Sequence, residues 1–239
     1  QSPFDNGLIT QLPTSDWRDE HWVFGYGLYV NCLVYLHLKI KNGEKTGEIK
    51  NFINHRLSLE EGPYYAIYTY KFYTGTRFDL LGNSLAMIAG IPTLDRRRRI
   101  IRWIEETCES LNRTGELFGN LPPVLFPFIE SKDDDWRKRY REFNQPGEYH
   151  NGGIWPFTIS FYVVSLIKLG LLDKAEKALL DLSKLVKKSK KGNLDYGFNE
   201  WYKAQTDMPQ GQDWQTWSAA GFIYATRCLE EEKALFLDP

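Results

Sequence analysis

Apolar residues recur at helical spacing in seven stretches of this chain. In residues 24–41, Leu28, Cys32, Tyr35, Leu36 and Leu38 share a face, and Asn42-Gly43 marks the end of that helix. Residues 44–59 repeat the pattern with Ile49, Phe52, Ile53 and Leu57 opposite Lys and Glu. Residues 79–91 (DLLGNSLAMIAGI) are apolar nearly throughout, which predicts a helix buried on most sides. Pro92 suits the first turn of the next helix, running to about residue 112. Three more helices are expected over 154–170, 172–189 and 212–232. The period changes to two in residues 63–76 (PYYAIYTYKFYTGT), which predicts a short strand or hairpin.

Residues 1–23 and 114–152 have no sustained period. The second holds Pro122, Pro123, Pro127 and Pro146, with a short surface helix expected in 132–141. A third aromatic loop begins at Leu194 (LDYGFNEWYKAQTDMPQGQ). These patterns predict an all-α fold of antiparallel helix pairs with a small β-hairpin. The loops richest in Trp, Asp, Glu, His and Asn precede helices, which suggests a site built on loops at one end of a helical scaffold.

Composition narrows the functions. A chain of 239 residues can bury a sizeable core as a single domain over 1–239. Its formal charge of -1 argues against nucleic acid or an anionic membrane as partner. The longest apolar run, 157–169, is broken by Ser and Lys well short of a membrane span. Arg96 to Arg99 are four consecutive arginines, but Ile100, Ile101, Trp103 and Ile104 follow at once, so they read as a solvated helix start. Cys32, Cys108 and Cys228 are far apart and odd in number, which excludes a disulfide scaffold and fits a reducing, cytoplasmic setting. The aromatic share is high at 15%.

The sequence has no phosphate-binding glycine loop, HExxH or GxSxG. Its histidines, His21, His37, His55 and His150, have no ligand-like neighbours, so neither a metal nor a cofactor is expected. What remains is carboxylate and aromatic chemistry in four clusters. TSDWRDEHW (14–22) carries Asp16, Asp19, Glu20, Trp17 and Trp22, which an acidic helix cap would also explain. EYHNGGIWPF (148–157) has two glycines for a tight turn, and an ordinary capped turn is the plain alternative. FNEWYKAQ (198–205) holds Glu200 where neither burial nor helix pairing needs an acid. QDWQTWSAAG (212–221) sets Trp214 and Trp217 three apart beside Gln215, which core packing would also explain. Together they supply flat aromatic surfaces for sugar faces, amides for their rims and two carboxyl groups for a glycosidic bond.

The clusters resemble, in the same order from about Ser15 to Leu229, the motifs of the neutral/alkaline invertase family. They are similar more loosely to those of processing α-glucosidase I and the amylo-α-1,6-glucosidases. YHNGGIWPF resembles the invertases' YHNGG-S-WP, GFNEWY their WPEYY, and DWQTWSAAG their QTWS/T-IAG helix. FDLLGNSLAMIAG resembles their F-x-LGN helix, and FGYGLYVNCLVYLHLK their GYPIEIQALFFMALR helix. The resemblance implies an α/α toroid of six helical hairpins, inverting hydrolysis and no required metal. It implies Glu200 as general base and Asp19 as general acid, with Asp16 the alternative across a one-residue gap. Asp79, His150, Asn151 and Gln215 are then expected to hold sugar hydroxyls, and Trp17, Trp155 and Trp217 to shape the pocket. Asp19 would be kept protonated by Trp17, Trp22 and a nearby Glu200, and inversion needs the carboxyls roughly 6.5–9.5 Å apart.

This sequence departs from the invertases at Ile154, where they have Ser, at Lys203, where they have an acid, and in the aromatic hairpin. Those changes widen the expected substrate from sucrose to an α-linked glucoside or related sugar. The alternatives are a sugar-binding or regulatory helical module without catalysis and a structural helical repeat. About seven helices cannot close six hairpins, so an incomplete barrel is expected: either completed by a missing N-terminal segment or a second chain, or a shortened relative with an open groove.

Overall fold

A computed structural model describes residues 4–5, 8–42, 45–60, 62–192 and 195–237. The expected glycine cap at Gly43 and the start of the aromatic loop at Leu194 lie outside them. The chain gathers into two compact units, residues 1–103 with 236–239, and residues 104–235.

In the first unit, strands β1 (Phe4–Asp5) and β2 (Leu8–Ile9) pair antiparallel. Strand β3 (Tyr26–Gly27) leads directly into helix α1 (Leu28–Ile40), so the helix begins four residues later than its apolar period. Helix α2 (Thr46–Arg56) and helix α3 (Leu80–Ala89) both pack on α1. The aromatic alternation is a hairpin, β4 (Ala66–Tyr70) and β5 (Tyr73–Asp79), with β3 added along the free edge of β4. Leu28, Cys32, Leu36, Ile49, Ile53 and Leu57 form the core with all ten residues of α3. That burial on every side is what the unbroken apolar run of α3 requires. Asp79 caps it through the amide of Gly82 at 3.1 Å, and Gly90 ends it in the left-handed region at φ 77.

Helix α4 (Leu94–Thr114) starts in the first unit and ends in the second. Its arginines are only partly solvated. Arg96 donates to the carbonyls of Pro63 and Tyr64 at 3.1 Å each and covers the Tyr65 ring at 4.2 Å. Arg97 donates to the Pro92 carbonyl at 3.0 Å. Arg98 and Arg99 are exposed, as an ordinary helix start predicts.

The second unit contains strand β6 (Leu125–Phe126), the short helix α5 (Tyr140–Phe143) and three long helices. Helix α6 (Pro156–Lys168) packs against both α7 (Leu172–Val186) and α8 (Thr216–Glu230). Eleven of the thirteen residues of α6 are buried, so it is the spine of this unit. Strands β7 (Trp201–Tyr202) and β8 (Pro209–Gln210) pair antiparallel in the loop before α8. Trp214 precedes α8 instead of sharing its face with Trp217, because φ 57 at Trp214 breaks the helical path.

The three cysteines are free and buried. Burial pushes all three thiols up, Cys108 to about 12, which leaves no reactive thiolate near neutral pH. No helix among the described residues is long and apolar enough to cross a membrane.

Candidate active site

Glu200 sits in the second unit on a loop held from three directions. Its backbone N–H donates to the Gln212 carbonyl at 3.0 Å, which ties it to the segment before α8. Asn199 on one side is fully buried; its amide reaches the carbonyls of Gln210 and Gln212 at 3.4 Å each, and its carbonyl accepts from the Ser218 hydroxyl at 3.0 Å. On the other side, Trp201 and Tyr202 are buried, and Tyr202 exchanges both backbone hydrogen bonds with Ile154 at 2.9 Å. Glu200 is therefore a half-buried acid between buried anchors. Gly211, at φ +65, makes room for it: a Cβ there would lie 2.3 Å from Glu200 Oε2. Any side chain at that position would displace the carboxylate.

The HNGG turn packs beside this loop. Asn151 is wholly buried; its Oδ1 accepts from the Ile129 amide at 2.6 Å, and its Nδ2 donates to the carbonyls of Ile129 at 2.9 Å and Asn144 at 3.1 Å. Its hydrogen-bonding capacity is used inside the protein, so its expected contact with sugar gives way to a structural role. His150 is 1% exposed and packs with the rings of Tyr149 at 4.0 Å and Trp155 at 5.2 Å, which are themselves 5.2 Å apart. It too is a wall residue, not a group presented to solvent. Trp155 is 1% exposed and donates Nε1–H to the Tyr149 carbonyl at 2.9 Å. Its ring lies 5.8 Å from that of Trp217, which stacks on Phe157 at 4.9 Å and 18°. Trp217 is 36% exposed, so it presents the outer surface of an aromatic wall that Trp155 backs. Gln215 occupies the N-cap position of α8 and is half-buried, with its side chain out of the cap hydrogen bond.

Lys203, where the invertase pattern has an acid, ion-pairs with Glu148 at 2.5 Å. Glu148 opens the HNGG segment, so this pair joins the two loops. The departure at Lys203 thus has a local partner that the sequence pattern did not reveal. The same loops also carry backbone strain. Tyr149 (φ 41), Phe198 (φ 41) and Trp214 (φ 57) all adopt the left-handed region, which costs bulky residues of order 1–3 kcal/mol each. Each lies one or two residues from His150, Glu200 or Gln215. Gly152 has φ +103, and a Cβ there would meet the Phe128 ring at 2.2 Å. Gly152→Ala is therefore expected to destabilise the protein by about 1–3 kcal/mol. Urea unfolding followed by tryptophan fluorescence checks this.

The acidic loop lies in the first unit. Asp19 is exposed, with Trp17 and Glu20 half-buried and Trp22 47% exposed in the same loop. Asp16 is different. Its side chain is 1% exposed and pairs with Arg18 at 2.9 Å. Asp79 is wholly buried; Oδ1 pairs with Arg18 and Oδ2 accepts from Gly82. Its expected role as a sugar ligand is corrected accordingly: both oxygens already have partners, away from solvent. Burial raises the Asp79 carboxyl, and Arg18 offsets this only in part. Burial acts to lower the Arg18 pKa, but the two carboxylates outweigh it, so the guanidinium stays charged. No signal in the sequence marked Arg18, whose importance comes from side chains 2 and 61 positions away.

The helical fold with its small sheet is similar to solved structures of six-hairpin glycosidase type. A GH63 mannosylglycerate hydrolase from Thermus thermophilus, in complex with Tris, superposes with a TM-score of 0.61 at 17% identity, over 84% of this chain and 46% of the other. A bacterial glucoamylase complexed with acarbose gives a TM-score of 0.58 at 15% identity, over 90% and 35% of the respective chains. The family model of alkaline and neutral invertases matches residues 37–232, and the chain belongs to that family. Alkaline/neutral invertase C, mitochondrial, of Arabidopsis thaliana is 31% identical over 168 residues, covering 67% of this chain and 23% of that protein. Cytosolic invertase 1 of Oryza sativa subsp. japonica is 30% identical over 165 residues, covering 66% and 27%. The chain thus spans about a quarter of the length of these relatives. The match contains Glu200, the HNGG turn and the start of α8, and it begins after the Asp16–Asp19 loop. The relatives' names place them in more than one compartment, so family membership does not choose one.

Proposed function

We propose that this chain carries the catalytic residues of a glycoside hydrolase acting on an α-linked glucoside or related sugar with inversion. The observation that carries the reading is the seat of Glu200: a half-buried carboxylate fixed by Asn199, Tyr202 and Gly211 inside the family-matched region. Glu200 acts as general base, taking a proton from the water that attacks the anomeric carbon. The leaving oxygen is protonated by Asp19. Between the two acids of its loop, Asp19 is preferred because Asp16 is buried in an ion pair and Asp19 is exposed. Trp217, backed by Trp155 and Phe157, offers a flat ring to a sugar face, and Gln215 an amide to its hydroxyls.

A panel of sucrose, maltose, isomaltose, trehalose and mannosylglycerate tests the substrate. Sucrose tests the activity its relatives are named for; the others test the broader α-glucoside reading. Proton NMR of the first product formed tests the stereochemistry. The expected result is the anomer opposite to that of the substrate, and a retained configuration rejects Asp19 and Glu200 as an inverting acid and base. A non-catalytic sugar-binding module would bind members of the panel without turning over any of them.

A further inference from the structure

The loop that carries Asp19 is fastened at the three residues before it. The Asp16 carboxylate accepts from the Arg18 backbone N–H at 2.8 Å and from its Nη1 at 2.9 Å. The Arg18 guanidinium also lies 4.7 Å from the centroid of the Trp17 ring. Its other terminal nitrogen, Nη2, donates to Asp79, the residue that caps α3. Arg18 is 1% exposed, and the next residue is the exposed Asp19. One guanidinium therefore joins a surface turn to the end of a helix buried on all sides. Consecutive Cα atoms are only about 3.8 Å apart, so fixing Arg18 closely limits where Asp19 can stand.

We propose that Arg18 is a positioning residue for the general acid: it clamps Asp16 and Asp79 and so holds Asp19 outward toward the leaving group. This rests on the reading of Asp19 as the acid. The chemistry of arginine suits the role. Its planar fork can serve two carboxylates at once, whereas a lysine ammonium is a single point charge. Positioning matters because a displacement of about 1 Å can cost on the order of 100-fold in rate.

A simple packing role would slow every substrate alike, whereas misplacing an acid slows only substrates whose leaving group needs a proton. The test compares the best disaccharide of the panel with the glycosyl fluoride of the same sugar, since fluoride leaves with little help from an acid. The intact chain is used throughout. Arg18→Met/Asp16→Asn/Asp79→Asn removes all three charges of the cluster together and strands none. Its kcat on the disaccharide is expected to fall about 100-fold at similar KM, with less than roughly a tenfold loss on the fluoride. Asp19→Asn should show the same selectivity, and Arg18→Lys a smaller loss of the same kind. If the triple variant fails to fold, Asp16→Asn alone, which keeps the Arg18–Asp79 pair, must show that selectivity at reduced size. Equal losses on both substrates, or none, in the folded clamp variants overturn the positioning role while selective Asp19→Asn keeps the acid. An Asp19→Asn variant that slows both substrates equally overturns the acid assignment, and the role of Arg18 with it.

Discussion

Glu200→Gln is expected to lower hydrolysis by about 100-fold or more while leaving sugar binding measurable. A positioned general base contributes typically about 10²–10⁴-fold, and the amide of glutamine cannot accept the proton of the attacking water. The substitution keeps the size of the side chain beside Gly211, where space is tight, and keeps every backbone contact of the loop. Isothermal titration of the variant with the best substrate of the panel, beside its steady-state rate, separates the two effects. A variant that hydrolyses at the wild-type rate places the base elsewhere. One that loses binding as well makes Glu200 a structural acid. The neighbouring pair Lys203–Glu148 is half-exposed, so breaking it should matter far less for folding than the carboxylate matters for rate.

The second large effect is on stability. Asp79→Ala is expected to cost about 1–3 kcal/mol, because it leaves a buried Arg18 N–H without its acceptor while Asp16 still pairs the charge. It also removes the cap of α3, worth about another 1 kcal/mol. For a chain of this size the loss corresponds to a fall in melting temperature on the order of 10 °C. Thermal unfolding followed by circular dichroism checks it. The triple substitution Arg18→Met/Asp16→Asn/Asp79→Asn should lose less, since no charge is stranded. If Asp79→Ala melts with the wild type, the cluster is not a structural anchor, and the buried position of Asp79 would need another cause.

The seven long helices among the described residues were legible because each has an amphipathic or wholly apolar period. α3 shows this best: its apolar run over 79–91 is visible in the letters, whereas the structure shows Asp79 as its cap and Gly90 as its terminator. The hairpin was legible from its alternation, but β3 was not, because two residues leading straight into a helix have no period of their own. Trp214 and Trp217 show the opposite error. Their spacing fits a helix, yet Trp214 turns left-handed before the helix starts, and spacing alone cannot report a dihedral angle.

The candidate site divides along the same line. Residue type and order along the chain are local properties, so they were enough to mark Glu200, the HNGG turn, the start of α8 and the acidic loop. They also carried the resemblance to the invertase family that the chain's membership bears out. Whether a polar side chain faces solvent or the interior depends on residues far away in sequence, which only the tertiary structure brings together. Asp79 and Asn151 look like sugar ligands in a motif, yet Arg18, Gly82, Ile129 and Asn144 occupy their hydrogen-bonding atoms. For the same reason the letters could favour Asp19 over Asp16 only by motif alignment, whereas the fold distinguishes them by burying Asp16 against Arg18 and exposing Asp19. The sequence by itself determined which residue types are available for chemistry and the helices that carry them. Burial and pairing, which arise only when distant segments meet, decided which of those residues remain open to a substrate.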